Sequence, residues 1–116
     1  MQYRKLGTSD LNVSVIGLGT NNFGNPNRIP DPADSAKVIN QCLDLGINFI
    51  DTANNYEGYK RYFGSPGGTA EEIVGKAIQG RRDNCVVATK VSAPLGPGPQ
   101  DRGLSASHIL RELDRS

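Results

Sequence analysis

The chain carries almost no net charge: thirteen lysines and arginines stand against twelve acids, a formal +1. That balance gives no broad positive field, so neither nucleic acid nor an anionic membrane is an expected partner. The Lys60–Arg61 and Arg81–Arg82 pairs read as solvated turns or helix ends. Cysteine is scarce as well. Cys42 and Cys85 have no C-x-x-C spacing, which removes a zinc knuckle or a redox dithiol and leaves buried, reduced thiols. No apolar stretch is long enough to cross a bilayer, and the opening MQYRKLGTSDLNVS lacks a signal-peptide core. The expectation is a soluble, cytoplasmic protein without a metal site or membrane insertion. Phosphate-loop signatures are missing too. GLGTNNFG departs from G-x-G-x-x-G and runs into a loop instead of a helix, and GSPGGTAEE has no lysine ahead of its threonine. At 116 residues there is room for one small domain and not two.

What remains is an alternation of apolar periods. YRKLGTSDLNVS, residues 3–14, reads as two short extended pieces around a GTSD turn, a small hairpin. Val15 and Ile16 then start a short buried strand that leads into GLGTNNFG. Asp31 before Pro32, with Asp34 following, predicts a capped helix over 32–45 whose inner face carries Ala36, Ile39, Cys42 and Leu43, and Gly46 is its stop. INFID, 47–51, is the next strand. Thr69 and Glu72 have capping-box spacing and open a helix with Ile73, Val74, Ala77 and Ile78 on one stripe, up to Gly80. RRDN is a turn, CVVATK a strand ending at Lys90, and SAPLGPGPQDRG a loop. Ser105 caps a last helix with Ile109, Leu110 and Leu113 on its face. The repeated strand–helix order predicts an α/β fold with parallel strands, right-handed crossovers and the loops after the strands gathered on one rim.

That rim is where the polar residues meet. Asp51 ends one strand and Lys90 the next, so adjacent parallel strands would hold their backbones roughly 4.8 Å apart. Tyr56 is five residues beyond Asp51, close enough to fold back over both, with Tyr59 and Tyr62 as competitors for the position. A phenol with an ordinary pKa of about 10 is a poor proton donor to a carbonyl oxygen. A neighbouring ammonium favours the phenolate, and a carboxylate keeps that ammonium charged and oriented. Such a trio donates a proton as hydride reaches the carbonyl carbon. Each residue alone has a plainer use: Asp51 as a turn acceptor, Tyr56 as a packed loop residue, Lys90 as a strand-end chain reaching water. His108, in the first turn of the last helix, reads as exposed or capping, and Ser92, Ser105 and Ser107 have no triad partners.

In the order YRKLGTSDLNVS, GLGTNNFG, DTANNY, TAEEIVGKAI, VVATK and SASHILRELDRS, the chain resembles the N-terminal part of the aldo-keto reductase family over essentially its whole length. The resemblance implies the N-terminal part of a (β/α)8 TIM barrel, about three strand–helix units preceded by a short hairpin, with residues 1–116 forming the first portion of a single barrel domain. It implies reversible reduction of an aldehyde or ketone with NADP(H), or NAD(H) as the alternative. By motif it assigns the acid to Asp51, the proton-donating phenol to Tyr56 and the ammonium to Lys90. It places Gly19, Thr20 and Asn21 at the nicotinamide side of the cofactor, with Asp51 also approaching the nicotinamide ribose. Glu57 stands where the family commonly has glycine, and YEGYKRYFGSPGG enlarges the following loop. The family's histidine and phosphate contacts fall beyond Ser116.

A whole barrel needs about 250 residues and eight units. The expectation is therefore a fragment or shortened product, inactive alone, whose partners are a small carbonyl or alcohol substrate and a homo-oligomer or second chain completing the barrel. The competing expectation is a binding or regulatory subunit on the same barrel, as in potassium-channel beta subunits.

Overall fold

Asp31 accepts a hydrogen bond from Ala33 N at 2.8 Å, Pro32 presets the first turn, and the chain leaves the helix through Gly46 at φ +86°. These local signals fix helix α1, Pro32–Asp44. Before it come strands β1 (Tyr3–Lys5), β2 (Asn12–Ser14) and β3 (Gly17–Gly19). After it come β4 (Phe49–Asp51), α2 (Thr69–Ala77), β5 (Val86–Ala88) and α3 (Ala106–Leu113). This computed structural model describes residues 1–56 and 68–116, so Glu57, the Lys60–Arg61 pair, Tyr59, Tyr62 and the enlarged loop lie outside the described residues.

β1 and β2 form the expected antiparallel hairpin, Tyr3 opposite Ser14. β3, β4 and β5 form a parallel sheet in sequence order, with Leu18, Ile50 and Val87 in one row and Gly19, Asp51 and Ala88 in the next. The pleat sends alternate rows to opposite faces. Leu18, Ile50 and Val87 pack into the apolar core with Phe23, Ile39 and Ile73. The neighbouring row, with Asp51 in its centre, takes the other face. Strands joined by helices around an unclosed sheet make this part of a (β/α)8 barrel. The hairpin is fastened at the opposite end from Asp51: Asn48, just before β4, accepts from Ser14 N at 2.7 Å and donates to Asn12 O at 3.0 Å.

Four expectations need correction. Val15 and Ile16 are not strand residues; they form an exposed bend, 46% and 57% accessible, between the hairpin and β3. Lys90 lies two residues past the end of β5 instead of ending it. Thr69 does not cap α2 and forms no capping box with Glu72. The cap is Gly68, in the left-handed region at φ +86°, and Thr69 is the first helical residue. The Glu72 amide that a capping box would have given to the Thr69 hydroxyl donates to Gly68 O at 2.8 Å, and two neighbouring amides find carbonyls of the turn after β4, Gly68 N donating to Asn54 O at 2.8 Å and Ala70 N to Tyr56 O at 2.9 Å. Finally, α3 is capped by Ser105 as expected but buries His108 and Glu112, while Leu110 and Leu113 are exposed. Cys85 is buried and Cys42 half-buried; both are free, and burial raises both thiol pKa values, which keeps them protonated and unreactive.

Candidate active site

The register that pairs Asp51 with Ala88 brings the chain after β5 alongside the chain after β4. Two further bonds continue the ladder past the strand ends, Thr52 N to Ala88 O at 2.8 Å and Asn54 N to Lys90 O at 3.1 Å. Lys90 is thereby held against the 52–56 turn. Its ammonium donates to Asp51 Oδ2 at 2.8 Å, to Thr52 O at 2.7 Å and to Tyr56 Oη at 3.2 Å. The three residues expected to meet do meet.

An ammonium has three N–H groups and no acceptor, so these contacts account for its whole donor capacity and fix their direction. The phenol oxygen of Tyr56 accepts from Lys90 and keeps its own O–H for donation. The ammonium also lies 4.8 Å from the Tyr56 ring centroid, within cation–π range. Partial burial acts to lower the Lys90 pKa, but the hydrogen bonds it donates to Asp51 and Tyr56, with their charges, outweigh it, and the net direction is upward from 10.5. Lys90 and Asp51 keep 49% and 38% of their side-chain surface in solvent, so the pair faces an open rim.

Tyr56 is positioned by its backbone. Its N–H donates to Ala53 O at 3.0 Å, and its carbonyl receives the first-turn amide of Ala70. The start of α2 thus sets where the phenol can reach. Thr52, Ala53 and Asn54 in the same turn are all buried, at 1%, 1% and 4%.

On the other side of Asp51 the structure separates the three first-loop residues. Gly19 and Asn21 are exposed. A side-chain carbon at Gly19 would meet nothing within 4 Å, so open space adjoins the Asp51 row, whereas one at Gly17 would press on the Phe49 ring at 3.0 Å. Thr20 is different: it is fully buried, and both its N–H and its hydroxyl donate to Asp51 O at 3.0 Å. Gly19 and Asn21 therefore stand in solvent beside the partly exposed Asp51, while the amide and hydroxyl of Thr20 hold the strand end. Among the described residues, no group of three or more His, Cys, Asp or Glu is arranged to hold a metal ion, and no helix is long and apolar enough to cross a membrane.

Sequence reasoning missed two contributors. The Thr52 carbonyl, third acceptor for Lys90, leaves no side-chain signature. Glu112 was overlooked, and His108 read as exposed or capping, because the leucines on α3 gave the louder pattern; the i, i+4 spacing of the pair was the available signal.

Residues 15–116 match the model of the aldo/keto reductase family. The chain is 40% identical over 114 residues to a "Probable voltage-gated potassium channel subunit beta" of Arabidopsis thaliana, covering 95% of this chain and 31% of that protein. It is 35% identical over 121 residues to the L-glyceraldehyde 3-phosphate reductase of Escherichia coli (strain K12), covering 100% of this chain and 32% of that protein. A solved structure described as "Putative aldo-keto reductase from Pseudomona aeruginosa" superposes with a TM-score of 0.73 at 34% identity, over 97% of this chain and 39% of that one. The chain spans about a third of the length of these curated relatives.

Proposed function

We propose that this chain, which belongs to the aldo/keto reductase family, forms the first portion of a single barrel domain, residues 1–116, and supplies the proton-donating side of a carbonyl reductase. The observation that carries the reading is one ammonium shared by a carboxylate and a phenol: Lys90 to Asp51 at 2.8 Å and to Tyr56 at 3.2 Å.

NADP(H), or NAD(H) as the alternative, would when bound supply the hydride for a carbonyl carbon. Gly19, Asn21 and Asp51 are the residues that would hold its nicotinamide side, with the Thr20 side chain turned into the sheet. As the carbonyl π bond opens, its oxygen takes the proton from Tyr56 Oη, and the product is an alcohol. Lys90 stabilises the negative charge left on the phenol oxygen, and Asp51 keeps Lys90 charged and aimed at it. Run backwards, the same atoms oxidise an alcohol.

The test is oxidation of reduced nicotinamide cofactor by the full-length protein against a panel of aldehydes and ketones. Tyr56→Phe keeps the ring and removes the proton, and should lower kcat by about 100-fold or more, the usual scale for a lost general acid, with the fold retained. Undiminished turnover would remove Tyr56 from this role. The likeness to a channel beta subunit favours a second reading, a binding or regulatory subunit on the same barrel. Cofactor binding without turnover of aldehydes, ketones or alcohols would select it.

A further inference from the structure

Helix α3 turns an imidazole and a carboxylate inward: His108 is 0% exposed and Glu112 2%, while Leu110 and Leu113 are each 62% exposed. An ion withdrawn from water needs hydrogen-bonded partners. Glu112 has three donors: Arg111 Nε at 3.3 Å and Arg115 Nη1 at 3.0 Å on one oxygen, and Asn54 Nδ2 at 3.4 Å on the other. Arg111 belongs to the helix itself and Arg115 to the turn just past it, so both would accompany Glu112 wherever α3 lay. Asn54 is 58 positions away and belongs to the turn after β4.

Asn54 is also the junction of the rim. Its N–H donates to the Lys90 carbonyl at 3.1 Å, and its own carbonyl accepts from Gly68 N at 2.8 Å at the start of α2. Two residues on, Tyr56 is tied to the same helix through Ala70 N. A side-chain contact that fixes Asn54 therefore fixes the main chain carrying Lys90 against the main chain carrying Tyr56.

We propose that Glu112 is a positioning residue: through Asn54 it holds the Lys90 and Tyr56 segments at the separation where ammonium and phenol meet. Its catalytic consequence rests on the reading of Tyr56 as proton donor. Glu112 makes no hydrogen bond to either of the two, so its effect on them is carried through Asn54.

The test uses the full-length protein with Glu112→Leu, which keeps the side-chain bulk and removes the acceptor, and Glu112→Gln, which keeps an amide able to bond with Asn54. In the Leu variant, exchange of the Asn54 amide hydrogen should quicken by roughly tenfold while that of Ile50 in β4 stays unchanged, a local opening of the rim. In the same variant kcat should fall by about tenfold with KM within about twofold, as misplacement of a proton donor predicts. The Gln variant should stay within about twofold of wild type on every count. Should Glu112→Leu fail to fold, Asn54→Ala removes the other end of the contact; there the amide of residue 54 should quicken by the same roughly tenfold factor. Unchanged exchange at position 54, or a Gln variant as impaired as the Leu variant, overturns the proposal. Exchange is read without substrate, so it still decides whether Glu112 holds Asn54 if Tyr56→Phe shows the proton donor to lie elsewhere.

Discussion

Lys90 carries more of the candidate site than either of its partners, because each of its three N–H groups has a different acceptor. Two are side chains and one is the Thr52 carbonyl. The main-chain contact makes the lysine difficult to replace by another cation: an arginine fork could not place one nitrogen within reach of all three. Despite the opposing effect of partial burial, its pKa is raised above 10.5 by Asp51 and Tyr56. A base whose folded pKa exceeds its unfolded one stabilises the fold fully below the unfolded value, and the contribution is lost as pH rises through the folded value. Urea midpoints of wild type should therefore converge on those of Lys90→Met as pH climbs past 10.5, after a modest wild-type advantage at neutral pH, since half the side chain is solvated. A constant gap across that range would show that the ammonium gains nothing from folding.

At the scale of elements, α2 is the part that aims the phenol, and its seating depends on a glycine in the loop before α1. Gly24 has φ +72°, and a side-chain carbon there would stand 2.8 Å from the Thr69 methyl. Gly24→Ala should cost about 2 kcal/mol from backbone strain and overlap together. Adding Thr69→Ser removes the methyl and should recover part of that loss in a chemical-denaturation series; no recovery would mean that the strain at φ alone is responsible. The same helix shows why local rules read some elements and not others. The start and stop of α1 were legible because Asp31, Pro32 and Gly46 act on their own neighbours. The Thr69 and Glu72 spacing promised a capping box, but Gly68 is the cap: its carbonyl takes the Glu72 amide, and the carbonyls of Asn54 and Tyr56 take Gly68 N and Ala70 N from a segment that only the tertiary fold brings near. Asp51 and Lys90 could be brought together from sequence because parallel strands run their following segments side by side, Asp51 opposite Ala88 with Lys90 two residues on. The Asn54–Glu112 contact could not, since the exposed leucines of α3 carried the stronger apolar pattern.

Taken as a whole molecule, the described sheet is open, with β3 and β5 at its edges, and α3 presents Leu110 and Leu113, one turn apart, to solvent. Unpaired strand edges and adjacent apolar side chains favour association. These 116 residues produced by themselves should sediment with a concentration-dependent mass above 12.4 kDa, whereas a compact, stable 12.4 kDa monomer would show that three units close their own surface. The same opening leaves the Lys90 network facing solvent. The central claim is narrower than the barrel and can be reached directly. In the full-length protein, the Lys90 side-chain titration followed by NMR should lie above 10.5 in the wild type and move down in Asp51→Asn. A Lys90 titration indifferent to the loss of that carboxylate would contradict the account.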